Sequence, residues 1–122
     1  ENFKKENKDW VKASIEDVEE SAKYFFDDIN DFHFIKGKVE ETLIQEKNLP
    51  SKISLLRLDT DWYESTKTEL NSLYPLLVHN GVLIIDDYGD MIGCRQAVDE
   101  FFKDKNILII SIDKSCRIII KN

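Results

Sequence analysis

Four aspartates, Asp59, Asp61, Asp86 and Asp87, are the residues of this chain whose type and spacing point to chemistry. Each pair closes an apolar run. Ile53-Ser54-Leu55-Leu56-Arg57-Leu58 ends in Asp59-Thr60-Asp61, and Val82-Leu83-Ile84-Ile85 ends in Asp86-Asp87. Short aliphatic runs bounded by turn signals read as buried strands, and near-continuous apolar runs suit a parallel sheet covered on both faces. Ligands bind such sheets just outside the carboxyl ends of the strands, so the pattern gathers four carboxylates where this architecture places its chemistry. Two like charges about 4 Å apart repel by about 4 kcal/mol at an effective dielectric of 20. A hard divalent cation with oxygen ligands is the simplest remedy. Asp59 and Asp61, two apart on an extended chain, share a face. Asp86 and Asp87 are adjacent, so the chain is already turning there. Each acid also has a plain structural use. Asp61 and Glu64 have capping-box spacing, and Asp86 and Asp87 suit an ordinary turn. The four together at two strand ends favour a site.

The elements that must hold these acids follow from the chain in order. Glu1 to Ala13 is a polar lead-in that reads as a loop from within something longer. Ser14 and Asp17 have capping-box spacing, and Ile15, Val18, Ala22, Phe25, Phe26 and Ile29 follow at helical intervals to about Asn30. Phe32 to Ile35 reads as a short strand, and Val39 to Ile44 as a brief helix that ends before Pro50. After Asp61 the spacing predicts a helix to about Val78, with Leu70, Leu73, Tyr74 and Leu77 inward and Pro75 tightening its last turn. His79-Asn80-Gly81 reads as the turn into the second acidic strand. A helix over Gly93–Lys103, a strand over Ile107–Ile112 and a strand over Cys116–Ile120 complete the chain, the last two as a hairpin. Alternating helix and strand predict an α/β sheet, mostly parallel, with a C-terminal antiparallel hairpin.

Composition bounds the function. The chain has 122 residues, 42% hydrophobic and 34% charged, enough for one domain. Its net charge of −7, from 17 basic and 24 acidic residues without a basic stripe, argues against nucleic acid and anionic membranes. No apolar run reaches membrane-spanning length. Cys94 and Cys116 lack zinc-site spacing, so free thiols in a reducing, cytoplasmic setting are the plain reading. Cys94 at a helix start favours a thiolate, but packing is the stronger reading. Arg95 has two readings, a partner for a site acid or substrate and a surface cap. Trp62 and Tyr63 suit either a substrate wall or the packing of a helix start. His79 reads as a solvated loop residue. His33 faces opposite to Phe32 and Phe34, and neither histidine has a visible nucleophile to pair with.

The run Leu55-Leu56-Arg57-Leu58-Asp59-Thr60-Asp61-Trp62-Tyr63-Glu64-Ser65-Thr66 resembles the LLRLDxDxYEST signature of the macrocin O-methyltransferase (TylF-type) family. The resemblance continues through Leu73-Tyr74-Pro75, Gly81 to Gly89, and Gly93-Cys94-Arg95-Gln96-Ala97-Val98-Asp99. It implies a Rossmann-like class I methyltransferase that uses S-adenosylmethionine and Mg²⁺ to methylate a sugar hydroxyl of a glycoside or similar secondary metabolite. By position it makes Asp59, Asp86 and Asp87 the Mg²⁺ ligands and Asp61 the general base. The chemistry is coherent. A Lewis-acid cation lowers the pKa of a sugar hydroxyl, and a carboxylate in hydrogen-bond reach takes its proton.

The chain departs from the family in one respect. Gly37, Gly81, Gly89 and Gly93 do not form a glycine-rich turn for the methyl donor, so residues 14–122 read as a partial domain, strands three to seven of the family fold. In the family's strand order, 3-2-1-4-5-7-6, the strand at Leu56 is then an open edge, a site for pairing with another chain. A homo-oligomer, or a rearranged third strand, is the expectation. Two other readings compete. One is a non-catalytic half-domain that only assembles. The other is a haloacid-dehalogenase-type phosphohydrolase, disfavoured by Tyr63 and by the single helix between the acid pairs.

Overall fold

A computed structural model describes residues 13–122. Nearly all of the expected lead-in, Glu1 to Lys12, lies outside the described residues. The chain divides into two compact units, residues 1–36 and 37–122.

The described part of the first unit is built on helix α1, Ile15–Phe25. Its start is the predicted capping box. The Asp17 N–H donates to Ser14 Oγ at 3.1 Å, and the Ser14 N–H donates to Asp17 Oδ2 at 3.0 Å. The helix stops short of Asn30. Phe26 is extended, and the Asn30 N–H turns to the Asp28 side chain at 2.9 Å, a local bond that competes with helix. The predicted strand at Phe32–Ile35 does not form. An extended segment becomes a strand only when its backbone groups find a ladder. Here the aromatic rings pack among themselves instead, Phe26 tilted against Phe32 at 5.0 Å and Phe32 stacked on Phe34 at 5.9 Å.

The second unit runs α2 (Val39–Thr42), β1 (Ile53–Leu58), α3 (Tyr63–Leu73), β2 (Leu77–Ile85), α4 (Ile92–Phe102), β3 (Ile110–Ser111) and β4 (Arg117–Ile120). Short 3₁₀ turns occupy Glu46–Asn48 and Tyr74–Leu76. The predicted long helix ends earlier than expected, since Pro75 converts its last turn to 3₁₀. The Lys121 ammonium then takes the freed carbonyls of Tyr74, Pro75 and Leu77 at 3.0, 3.2 and 2.6 Å. His79-Asn80-Gly81 is not a turn before the strand but an irregularity inside β2. Ile53 pairs with Leu77 and Leu55 with Val82, so β2 spends three extra residues there, with Asn80 at φ 62°.

The sheet order is β1-β2-β4-β3. β1 and β2 pair in parallel, while β4 runs antiparallel to both β2 and β3. The expected mostly parallel sheet is therefore mixed, because the returning hairpin strand β4 inserts between β2 and β3. The expectation of cover on both faces also fails for this unit. Leu56, Leu58, Leu83, Ile85 and Ile119 are buried with Leu70, Tyr74, Cys94, Val98 and Phe102 of the helical layer. On the opposite face Leu55 is 62% exposed and Ile120 47%. Among the described residues no strand pairs with the outer edge of β1. No helix among them is long and apolar enough to cross a membrane.

Candidate functional site

Parallel pairing of β1 with β2 sets Leu58 beside Ile85, so both acid-bearing turns leave the sheet at the same level. The Asp86 N–H extends the ladder by donating to the Leu58 carbonyl at 3.0 Å. One oxygen from each of Asp59, Asp86 and Asp87 then lies within 4.8 Å of the others.

The first turn is tight. The Trp62 N–H donates back to the Thr60 carbonyl at 2.7 Å, and Asp61 between them has φ 66°. A non-glycine residue in that region costs on the order of 1–3 kcal/mol. Asp61 is thus not extended, and it does not share a strand face with Asp59. Nor does it cap α3, whose N-cap is Trp62 and carries no side-chain cap bond. The turn is held by α3. Ser65 Oγ donates to the Thr60 carbonyl at 3.2 Å, and Thr60 Oγ1 donates to Glu69 Oε2 at 2.9 Å.

The second turn is held by distant residues. Ser115 Oγ donates to the Asp86 carbonyl at 2.7 Å, and the Gly89 N–H donates to the Ser115 carbonyl at 2.9 Å. A Cβ at Gly89 would collide with the Lys114 carbonyl oxygen, so only glycine lets the hairpin come this close. Arg95 donates to the Tyr88 carbonyl at 3.1 Å and the Gly89 carbonyl at 2.8 Å. Arg95 thus bonds no site acid here; it locks the turn backbone.

The electrostatics of the cluster follow from its geometry. Arg57, on the exposed face of β1, reaches Asp59 at 2.9 Å and Asp86 at 3.1 Å. These acids raise its pKa further, Asp86 foremost. Part of the positive charge that the acids require is therefore supplied by the chain. Asp87 is left out of this pairing. Burial, then the adjoining Asp61 carboxyl, then Asp59 and Asp86 push its pKa up to about 6. Its Oδ2 is buried without a hydrogen-bond partner. An ionised carboxylate oxygen in that position is relieved only by a proton or a cation. Three converging carboxylates with one orphaned oxygen fit a hard divalent ion.

Other residues resolve into supporting parts. Cys94 is buried, and burial pushes its thiol up to about 11, which makes it packing and not a nucleophile. Tyr63 donates its hydroxyl to Glu100 at 2.6 Å, and Trp62 is 69% exposed beside the acids. His79 is exposed. Sequence reasoning overlooked Arg57, Glu69 and Ser115 as partners of the two turns. Only Glu69 carried a signal, since it lies four residues after Ser65 and four before Leu73 on the inward stripe of α3.

The family profile for macrocin-O-methyltransferase (TylF) matches residues 1–120. The chain belongs to this family. It is 41% identical over 64 residues to demethyldecarbamoylnovobiocin O-methyltransferase of Streptomyces niveus, covering 51% of this chain and 24% of that protein. It is 39% identical over 69 residues to 8-demethyl-8-(2,3-dimethoxy-alpha-L-rhamnosyl)-tetracenomycin-C 4'-O-methyltransferase of Streptomyces olivaceus, covering 56% of this chain and 25% of that one. The matched stretch thus spans about a quarter of the length of these curated relatives. Among solved structures, the O-methyltransferase NovP superposes with a TM-score of 0.83 at 30% identity, over 90% of this chain and 46% of that one. An SAH-bound Podospora anserina methyltransferase matches at TM-score 0.55 and 20% identity, over 89% of this chain and 58% of that one, a likeness of fold. The TylF-family chain therefore has the α/β fold of class I methyltransferases.

Proposed function

We propose that this chain is the metal-binding and acceptor-activating part of an S-adenosylmethionine-dependent O-methyltransferase acting on a sugar hydroxyl of a glycoside. The observation that carries the reading is the convergence of Asp59, Asp86 and Asp87, with Asp61 adjoining Asp87, in a TylF-family chain. The rhamnosyl acceptor in the name of the S. olivaceus relative supports a sugar acceptor.

In this reading Asp59, Asp86 and Asp87 hold a Mg²⁺ ion. When bound, such an ion would acidify and orient the acceptor hydroxyl. Asp61 takes the hydroxyl proton as the oxygen attacks the donor methyl group. A bound methyl donor would supply the methyl group, its carbon–sulfur bond breaking as the oxygen–carbon bond forms and its sulfonium leaving as a neutral thioether. Positioning supplies much of the rate, because displacement at carbon needs in-line approach. The strained turn at Asp61 serves that end by fixing the direction of the base relative to the acids. No residue of this chain forms the glycine-rich turn that would hold the donor, so its contacts to the donor are not assigned.

The test separates base from ligands. Asp86→Asn and Asp87→Asn in this chain are expected to abolish Mn²⁺ binding measured by electron paramagnetic resonance, whereas Asp61→Asn retains it. Carried by a full-length family member at the same point of the D-x-D motif, Asp61→Asn is expected to lower kcat about 10²–10⁴-fold. Loss of metal with Asp61→Asn would make Asp61 a ligand instead. Retained activity would remove it from proton transfer.

A further inference from the structure

Glu69 stands apart from the acidic cluster and is 5% exposed. It sits on α3 beside Leu70, in the layer that covers the sheet. A carboxyl is a costly occupant of such a place unless a hydrogen bond repays its lost water. Its partner is the Thr60 hydroxyl, which donates to Glu69 Oε2 at 2.9 Å. Thr60 is the residue between Asp59 and Asp61. Three bonds meet on it, the others being from Ser65 Oγ and the Trp62 N–H to its carbonyl. The two carbonyl bonds fix the peptide that leads into Asp61. The hydroxyl bond is the one that fixes the rotation of Thr60 itself.

We propose that Glu69 is a positioning residue for the D-x-D turn, and that by accepting the Thr60 hydroxyl it sets the directions in which Asp59 and Asp61 project. Glu69 touches neither acid and takes no part in the chemistry. Its role rests on the reading of Asp59, Asp86 and Asp87 as a cation site. A backbone held at φ 66° relaxes when its surroundings stop holding it. Loss of the Glu69 bond lets Thr60 turn, and Asp59 then leaves the place where its oxygen meets those of Asp86 and Asp87. A glutamate is suited to this task because its reach spans from the helix to the turn, whereas an apolar residue would fill the stripe and leave the hydroxyl unpaired.

The experiment uses the full chain, with Mn²⁺ as probe and amide hydrogen exchange at Trp62 as an independent reporter of the turn. Glu69→Ala is expected to weaken Mn²⁺ binding about tenfold, the scale seen when a partner behind a metal ligand is removed, and to speed exchange of the Trp62 amide. Thr60→Val does the same, and the double variant is no worse than either single change, because both remove one bond. Glu69→Gln retains wild-type behaviour, since its side-chain oxygen accepts the same hydroxyl. Unchanged Trp62 exchange in folded Glu69→Ala, additive effects in the double variant, or a glutamine variant as impaired as alanine would each overturn the proposal. If the unmodified chain binds no Mn²⁺, the cation reading fails, and Trp62 exchange alone decides for or against the brace. Should Glu69→Ala not fold, Thr60→Val carries the same comparison from the turn side.

Discussion

The two acidic turns do similar work at neighbouring strand ends, yet they are anchored in opposite ways. The Asp59–Asp61 turn is secured by its own following helix, through Ser65 and Glu69. The Asp86–Gly89 turn is secured by the β3–β4 hairpin, with Ser115 bonding to Asp86, 29 positions earlier, and by Arg95. The first turn is therefore a local device that needs little beyond β1 and α3. The second turn is correct only when the last strand has come home. Metal affinity in the proposed site joins the two, since Asp59 comes from one anchor and Asp86 and Asp87 from the other.

The contrast is broken most severely at Gly89. A methyl group there meets the Lys114 carbonyl and the Ser115 backbone, neither of which is a flexible side-chain end. Gly89→Ala is expected to destabilise the chain by on the order of 4 kcal/mol and to detach the hairpin, shown by a lowered urea midpoint and by loss of exchange protection over Arg117–Ile120. The Trp62 amide should stay protected in whatever population remains folded, because the first turn does not depend on the hairpin. Loss of protection at both turns together would show that they are one cooperative unit.

The same contrast explains what could be read from the sequence. Asp59, Asp61, Asp86 and Asp87 were legible because an apolar run closed by acid is a local pattern, and the order of β1, α3, β2 and α4 followed from periodicity. The place of β4 between β2 and β3 leaves no local trace, because strand order is set by pairing, and only the strand order implied by the family resemblance pointed to it. Asp61 looked like a helix cap because spacing alone cannot distinguish an N-cap from a residue just outside the helix that bends backwards at φ 66°. Glu69 was passed over because glutamate on a helix is usually solvated, and only its place on the inward stripe says otherwise. The strand expected at Phe32–Ile35 had the right composition but no ladder to join.

A smaller effect sharpens the local anchor. Burial, with contributions from Glu40 on α2 and Asp59 beyond β1, pushes Glu69 up to about 7 from an ordinary 4.5, although the Thr60 bond works the other way. Cys94 of α4 also feels this charge. The folded chain then keeps a proton that the unfolded chain has released, so stability falls as pH rises from about 4.5 to about 7 and levels above that. A shift of this size bounds the change at about 3 kcal/mol. Glu69→Gln removes that slope while keeping the turn. Urea midpoints of the two proteins at pH 5 and pH 7.5 give the comparison, and the contribution of Asp87 cancels because both contain it. An equal slope in the two would mean that Glu69 is ionised throughout.

Arg57 offers the mildest perturbation and the only one that acts on both turns at once, since its guanidinium spans Asp59 and Asp86. Both pairs are half exposed, so their contribution to stability is small, about 0 to 1 kcal/mol. Their effect on a bound cation has the opposite sign. A fixed positive charge beside two of the three proposed ligands repels a divalent ion and competes for the same oxygens. Arg57→Gln is therefore expected to lower stability slightly without metal while tightening Mn²⁺ binding a few-fold. The gain should shrink as salt rises from about 0.01 to 0.15 M, because the screening length falls from about 30 to about 8 Å. Weaker Mn²⁺ binding in the variant would reverse the assignment, making Arg57 a strut that holds Asp59 and Asp86 in place for the ion and not a competitor for them.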